Sequence, residues 1–210
     1  MLNGKLISFM FLLLSIAFGS VNFIQLKKHS EIFIPNVDPF KVFMIFGNFT
    51  NFFLLEPNLI MFKLEAEYNG EEMVNISARN YNEFLTNHRD QLLTNHQSWS
   101  YVVSYEEYYQ HLPAILTNKN QGHFILSVLD EGFQVISNHT TEYLPRHPIN
   151  TRAINTFKKV TDGETKKTVG TLVIEDVYYE SPLLFIVLAI AEVEAQRTKV
   201  LNALANWKYN

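Results

Sequence analysis

Hydrophobic and polar positions fall into three regimes along the chain. From Leu6 to Leu26 no charge interrupts an apolar run. From about residue 29 to residue 178, short apolar stretches alternate with polar ones and are separated by turn residues. From Pro182 to Trp207 there is no glycine and no further proline, and apolar residues recur every three or four positions. The first pattern is that of a leader or anchor, the second of strands, the third of a long helix.

In the middle regime, residues 31–34 read as a short strand ended by Pro35. Asp38-Pro39 has the form of a helix start, with Asp as cap and Pro in the first turn. Phe40, Val42, Phe43 and Phe46 follow at helical spacing, and Gly47 is expected to close that helix. Residues 48–56 form an aromatic, turn-rich segment. Residues 58–68 read as a strand before an Asn69-Gly70 turn. Residues 71–97 are polar, with a short helix expected around 80–93. Strands are then expected over 99–105, 122–129, 133–141, 152–160 and 168–178. Their turns at Asp130-Glu131-Gly132 and Thr161-Asp162-Gly163 make the pattern an antiparallel meander.

The last regime predicts an amphipathic helix of about seven turns, at 3.6 residues per turn. Its stripe is Ile186, Ile190, Val193, Val200, Leu204 and Trp207. Residues 183–191 are apolar on every side, so this stretch is expected to be buried all round, against the sheet on one side and a cover or a greasy cavity on the other.

The N-terminal run follows Lys5 and ends in Ala17-Phe18-Gly19, a small-x-small pattern. That is the layout of a secretory signal peptide over residues 1–19. An uncleaved signal anchor is the competitor, because residues 6–26 are long enough to span a bilayer. Lys27 and Lys28 beyond the run balance Lys5 before it, so charge leaves the orientation open. The expected location is secreted or lumenal, with a single-pass membrane anchor as the alternative. Three N-x-[ST] sequons, at Asn48, Asn75 and Asn138, are glycan acceptors in a secreted chain, although so short a motif also arises by chance.

The order strand, short helices, antiparallel meander and long C-terminal helix resembles the START and polyketide-cyclase-like (SRPBCC, helix-grip) superfamily. Residues 31–43, with Pro39 and Val42-Phe43, look like that family's opening strand and helix start. Residues 47–58, with Phe49, Phe52 and Pro57, look like its aromatic turn. The resemblance covers nearly all of the chain after residue 28 and implies one domain, 29–210. It implies an α+β fold in which a curved antiparallel sheet wraps around the long C-terminal helix, with two short helices after the first strand. It also implies a hydrophobic cavity that binds a lipid or another hydrophobic small molecule. No catalytic residue runs through the superfamily, so none is carried over. The cavity is expected to draw on Phe62, Trp99, Tyr101, Val103, Phe124, Val135, Ser137, Phe157, Ile186 and Ile190.

Composition narrows the chemistry. Of 210 residues 47% are hydrophobic and 14% aromatic, which gives material for a broad apolar interior. The net charge is −4 without a basic stripe, so nucleic acid is not an expected partner. There is no cysteine, which excludes disulfides, thiolate metal sites and thiol catalysis. No metal or cofactor spacing stands out. His139, Glu142 and His147 are close in sequence, but they read as a polar strand end. No nucleophile elbow or phosphate loop occurs. Glu106-Glu107 and Glu175-Asp176 are neighbours on strands and point to opposite faces, so neither pair is an acid/base dyad by itself. Glu175 and Asp176 are expected at the surface, with an inward carboxylate holding a ligand's polar head as the alternative. An enzyme on the same fold, of cyclase or hydrolase type, would need a buried His or carboxylate facing the pocket. A membrane-tethered interaction protein with a filled core would need a large exposed apolar patch.

Overall fold

The computed structural model describes residues 23–48, 51–56, 58–69, 72–73, 98–108, 117–144, 147–183 and 186–209. The expected leader, the sequon at Asn75 and the helix expected around 80–93 lie outside these residues. Among the described residues no helix is long and apolar enough to cross a membrane.

Among the described residues, one antiparallel sheet contains every strand. Its members are β1 (Phe23–Pro35), β2 (Leu59–Asn69), β3 (Glu72–Met73), β4 (Trp99–Tyr108), β5 (Thr117–Leu129), β6 (Gly132–Leu144), β7 (His147–Thr161) and β8 (Thr168–Pro182). Their order is β1-β8-β7-β6-β5-β4-β2-β3. Helix α1 (Pro39–Gly47) and the single turn α2 (Phe52–Leu55) follow β1, and α3 (Ile186–Ala205) ends the chain.

The first strand is much longer than its local pattern suggests. It starts at Phe23, inside the uncharged run, and pairs from Phe23 opposite Pro182 to Pro35 opposite Gly170. Lys27 and Lys28, which look like a boundary in the sequence, sit within it. A strand turns successive side chains to opposite faces, so both lysines are accommodated. Lys27 reaches Asp176 on the outer face at 3.1 Å, and Lys28 lies 3.7 Å from Glu194 of α3.

Helix α1 begins as its residues dictate. The Asp38 carboxylate accepts from the Phe40 amide at 2.9 Å, and Pro39 occupies the first turn. Val42, Phe43 and Phe46 point into the core. The helix ends at Gly47, as expected, and the glycine is also needed for packing. A Cβ there would stand 2.6 Å from Leu126 Cδ2, so glycine allows the helix end to lie against β5. The Tyr101 hydroxyl donates to the Gly47 carbonyl at 2.9 Å and fixes that approach.

The β5–β6 turn is a two-residue loop, Asp130-Glu131, between Leu129 and its partner Gly132. Gly132 has φ 145°, and a Cβ on it would meet the Phe157 carbonyl oxygen at 2.2 Å. In the β7–β8 turn the Asp162 carboxylate accepts from the amides of Glu164 (3.1 Å) and Thr165 (2.7 Å). These bonds hold its pKa below the ordinary carboxylate range.

Helix α3 is shorter than the sequence implies. Pro182 belongs to β8, because β1 keeps pairing that far. The helix covers 20 residues. Its C-terminal half is buried through Val200, Leu201 and Leu204. Its apolar N-terminal half is not buried all round, since Val187 is 77% and Ile190 37% exposed.

The core divides in two. The larger part lies under α1 and the end of α3, with Phe43 stacked on Phe133 at 5.0 Å and Phe157 edge-on to Phe43 at 6.1 Å. A smaller cluster of Ala153, Val177 and Tyr179 packs against Leu26, Ala189 and Val193. The stretch of sheet between them is polar and hollow.

Candidate functional site

The hollow lies where α1 ends and α3 continues over the sheet. It comprises a cavity of about 150 Å³ and a neighbour of about 130 Å³. Glu107, Thr141, Thr151, Val193 and Gln196 line both. The apolar wall of the first is Phe46, Leu55, Leu59, Phe124, Ala153, Val177, Val193 and Val200. Its polar groups are Glu56, Tyr105, Glu107, Ser137, His139, Thr141, Thr151, Gln196 and Arg197. The second reaches Asn58, Tyr108, Asn118, Tyr179, Glu180, Ser181, Pro182 and Glu192 near the start of α3.

The inner face of each strand explains this division. Along β6, Val135 lies in the core near Gly47, while Ser137, His139 and Thr141 continue the same face into the cavity. Along β4, Trp99, Tyr101 and Val103 are core, and Tyr105 and Glu107 are cavity wall. Every second residue of a strand shares a face. Whether it packs or lines a hollow depends on how far α1 extends.

Of the expected ligand-contacting residues, Phe124 and Ser137 line the cavity. Trp99, Tyr101, Val103, Val135 and Phe157 are packed in the core instead, and Phe62 packs at its margin. Ile186 and Ile190 lie outside both cavity walls. Helical phase accounts for this, because the line facing the sheet runs through Ala189, Val193, Gln196, Arg197, Val200 and Leu204. The stripe inferred from sequence jumps from Val193 to Val200. The residues filling that gap, Gln196 and Arg197, are the polar centre of the site, and the gap was the one signal that marked them.

Glu175 does not sit at the surface. It is fully buried and receives the Arg197 guanidinium, with Nε 2.9 Å from Oε1 and Nη2 on the same oxygen. Asp176 faces outward beside Lys27 and His29, whose hydrogen bonds hold its pKa down. The other carboxylate near the guanidinium is Glu56, 3.4 Å from Nη1. The Gln196 amide donates to Glu56 at 3.1 Å and to Glu107 at 3.2 Å. Asn120 donates to the other oxygen of Glu107 at 3.1 Å. Glu175 Oε2 has no hydrogen-bond partner, and neither side-chain atom of Asn155, its cross-strand neighbour, has one.

Burial sets the protonation of these groups. It pushes Glu56 up to about 7, against the pull of Arg197 and with help from Glu107. It raises Glu107 as well, opposed by its amide hydrogen bonds. It lowers His139 to about 3, with Arg197 adding to the effect, so the imidazole is neutral. His139 Nδ1 lies 2.8 Å from the Tyr105 hydroxyl, and Tyr105 is raised well above its ordinary value, burial first and Glu107 next. Burial works against the charge on Arg197, but Glu175 and Glu56 outweigh it and hold the guanidinium charged.

No group of three or more His, Cys, Asp or Glu suited to a metal ion occurs among the described residues. His139 is turned into the cavity, and the side chains of Glu142 and His147 lie outside the described ones. Of the sequons, Asn48 is 6% exposed and packed inside, which leaves no room for a glycan. Asn138 is on the outer face and exposed.

A curved antiparallel sheet gripping a long C-terminal helix, with two short helices after the first strand, settles the architecture. The chain has the helix-grip fold. No protein-family model matches it, and no curated protein matches it. Among solved structures it is similar to a hypothetical protein from Helicobacter pylori, at 10% identity over 90% of this chain and 89% of that one, with a TM-score of 0.50. It is also similar to a truncated norcoclaurine synthase from Thalictrum flavum, at 11% identity over 89% of this chain and 95% of that one, TM-score 0.47. A third is human STARD10, at 12% identity over 86% of this chain and 64% of that one, TM-score 0.45.

Proposed function

We propose that this protein binds a small, largely apolar molecule in the hollow between the sheet and α3. The observation that supports this most directly is the hollow itself, in a fold whose other half is filled by interlocking aromatic rings. An apolar wall facing convergent polar groups, here Glu56, Tyr105, His139 and Arg197 among them, is the kind of concave setting in which ligands bind. Its size limits the occupant. An engineered apolar cavity of about 150 Å³ holds benzene, whereas drug-sized sites run to about 300 Å³ and above. A ring or a short chain fits these dimensions better than a two-chain lipid. Entry is expected beside Leu55, Leu59 and the start of α3.

The experiment is ligand-observed NMR with benzene-sized probes against the wild type and Ala153→Met. Binding to the wild type that is lost when methionine fills the cavity supports the reading. Equal signals from both proteins place the ligand elsewhere and reject it.

We place the domain in the secretory pathway, delivered by the leader. The first strand starts at Phe23, a few residues beyond the small-x-small pattern at 17–19. With Phe23–Leu26 of the uncharged run taken up by β1, the stretch available for a bilayer span is residues 6–22, at the lower limit of about 17 residues. Expression with the native leader in a eukaryotic secretory cell tests this. A secreted product beginning near Ser20 supports cleavage, and a full-length, cell-bound product supports the anchor.

A second reading, acid–base catalysis on the bound molecule, is favoured by one observation. Glu56 is a cavity carboxyl whose pKa of about 7 suits proton transfer at neutral pH. A ligand that gains deuterium from heavy water in the presence of the wild type, but not of Glu56→Gln, identifies a catalyst. A ligand recovered unexchanged identifies a binder.

A further inference from the structure

One hydrogen bond in the hollow decides what its wall can offer a ligand. Tyr105 of β4 and His139 of β6 meet across β5, with the hydroxyl 2.8 Å from Nδ1 and the rings edge to face at 5.9 Å. The strand between them makes room. Gly122 is the register partner of both Val103 and His139, and a Cβ on it would stand 3.0 Å from Nδ1 and 3.3 Å from Cε1. The Phe124 ring stands perpendicular to the imidazole at 5.2 Å. The imidazole is thus held from two strands, with its Nδ1–Cε1 edge against β5.

This contact selects the tautomer. A phenol is the stronger donor of the two groups and an imidazole nitrogen the stronger acceptor, so Tyr105 donates and Nδ1 accepts. The imidazole is neutral, and a neutral ring whose Nδ1 accepts carries its proton on Nε2. Nε2 has no hydrogen-bond partner among the described residues. His139 is part of the cavity wall, so Nε2–H is the group that the ring presents to an occupant. A donor kept from water without an acceptor is costly.

We propose that the hollow recognises an uncharged carbonyl compound, whose oxygen accepts from His139 Nε2 while its apolar body lies against Phe124, Val177 and Val200. A neutral N–H matches a neutral acceptor. The Arg197 guanidinium is already engaged by Glu175 and Glu56, and Glu56 and Glu107 in the same wall disfavour a carboxylate ligand. The inference rests on the binding reading above and adds the functional group of the ligand.

Cyclohexanone and methylenecyclohexane share one shape and differ in the acceptor oxygen. Both are titrated by NMR against the wild type and His139→Phe. Cyclohexanone is expected to bind the wild type about tenfold more tightly, although it is the less hydrophobic of the two. His139→Phe keeps a ring and removes the donor, so it should abolish that preference while methylenecyclohexane still binds. Nitrogen spectra of the wild-type imidazole need no variant and decide the matter should His139→Phe fail to fold. They are expected to show the proton on Nε2 and a shift of that resonance when cyclohexanone is added. A proton on Nδ1, equal affinity for the two probes, or a ketone preference that survives His139→Phe overturns the carbonyl inference and leaves the binding reading standing. Failure of both probes to bind overturns both.

Discussion

The Arg197 guanidinium donates from Nε to Glu175 Oε1 at 2.9 Å, joining the middle of α3 to the inner face of β8 where no solvent reaches the carboxylate. Arg197 itself is only 13% exposed. A pair this deep is held less by its own attraction than by the cost of leaving either member alone.

Arg197→Met is therefore expected to lose about 3–5 kcal/mol, because Glu175 is left buried without a counter-ion. The double variant Arg197→Met, Glu175→Leu is expected to recover most of that loss. Urea unfolding followed by circular dichroism measures both. A double variant no more stable than the single one would show that the pair is stabilising in its own right.

The contact between α1 and β5 yields a second expectation. Gly47→Ala drives a methyl group into Leu126, a completely buried side chain, and should cost about 1–3 kcal/mol of overpacking. Tyr101→Phe removes the hydroxyl that donates to the Gly47 carbonyl and should cost about 1–2 kcal/mol. The two sites are neighbours, so their effects should not add. Thermal melts of the two single variants and the double variant test this.

Stability should vary with pH in a way that two cavity groups control. His139 has a pKa of about 3 in the fold against 6.5 when free. The unfolded chain thus binds the extra proton, and the contribution of His139 is full above pH 6.5 and lost as pH falls towards 3. At about 1.4 kcal/mol per unit this is at most about 5 kcal/mol. Glu56 works in the opposite sense. Its pKa is about 7 in the fold against 4.5 when free, so the fold holds the extra proton, and the contribution is full below pH 4.5 and lost as pH rises through 7. The two slopes oppose each other between 4.5 and 6.5. His139→Gln is expected to flatten the acid limb, and Glu56→Gln to make stability climb across 4.5–6.5. Groups near Glu56 that influence the profile are Tyr105 and Glu107 of β4, Glu175 of β8, and Gln196 and Arg197 of α3. Denaturation midpoints at intervals from pH 3 to pH 8 give the measurement. A wild-type acid limb retained in His139→Gln would assign it to other groups.

Glycan occupancy should differ between the sequons. Asn138 stands on the outer face between Arg152 and His123 in the register, with the sequon's Thr140 exposed beside it. Asn48 is packed inside. Glycopeptide mass spectrometry on protein secreted from eukaryotic cells is expected to find Asn138 modified and Asn48 bare. A glycan on Asn48 of folded protein would contradict the burial of that side chain at the end of α1.

The sequence carried the order of elements because that information is local. Alternation of period two marks β4, β5 and β6, the Asp130-Glu131-Gly132 turn joins its hairpin, and Asp38-Pro39 starts α1, each through backbone preferences that need no distant partner. Strand ends are another matter. The start of β1 at Phe23 follows from thirteen register partners on β8, almost 150 residues away, and no local pattern contains them. The candidate site divides in the same way. The sequence identified the inner face of β4 and β6 correctly, because alternation fixes the face. It did not reveal which part of that face lies under α1 and which part is hollow, since that depends on how far a helix reaches across the sheet. Nor did it distinguish Glu175 from a surface charge, because an inward carboxylate is acceptable only once Arg197, from another element, arrives beside it. Local chemistry determined the elements and their faces. Only the tertiary structure decided where packing stops and a charged hollow begins, because that depends on volume and counter-charge supplied by residues far apart in the chain.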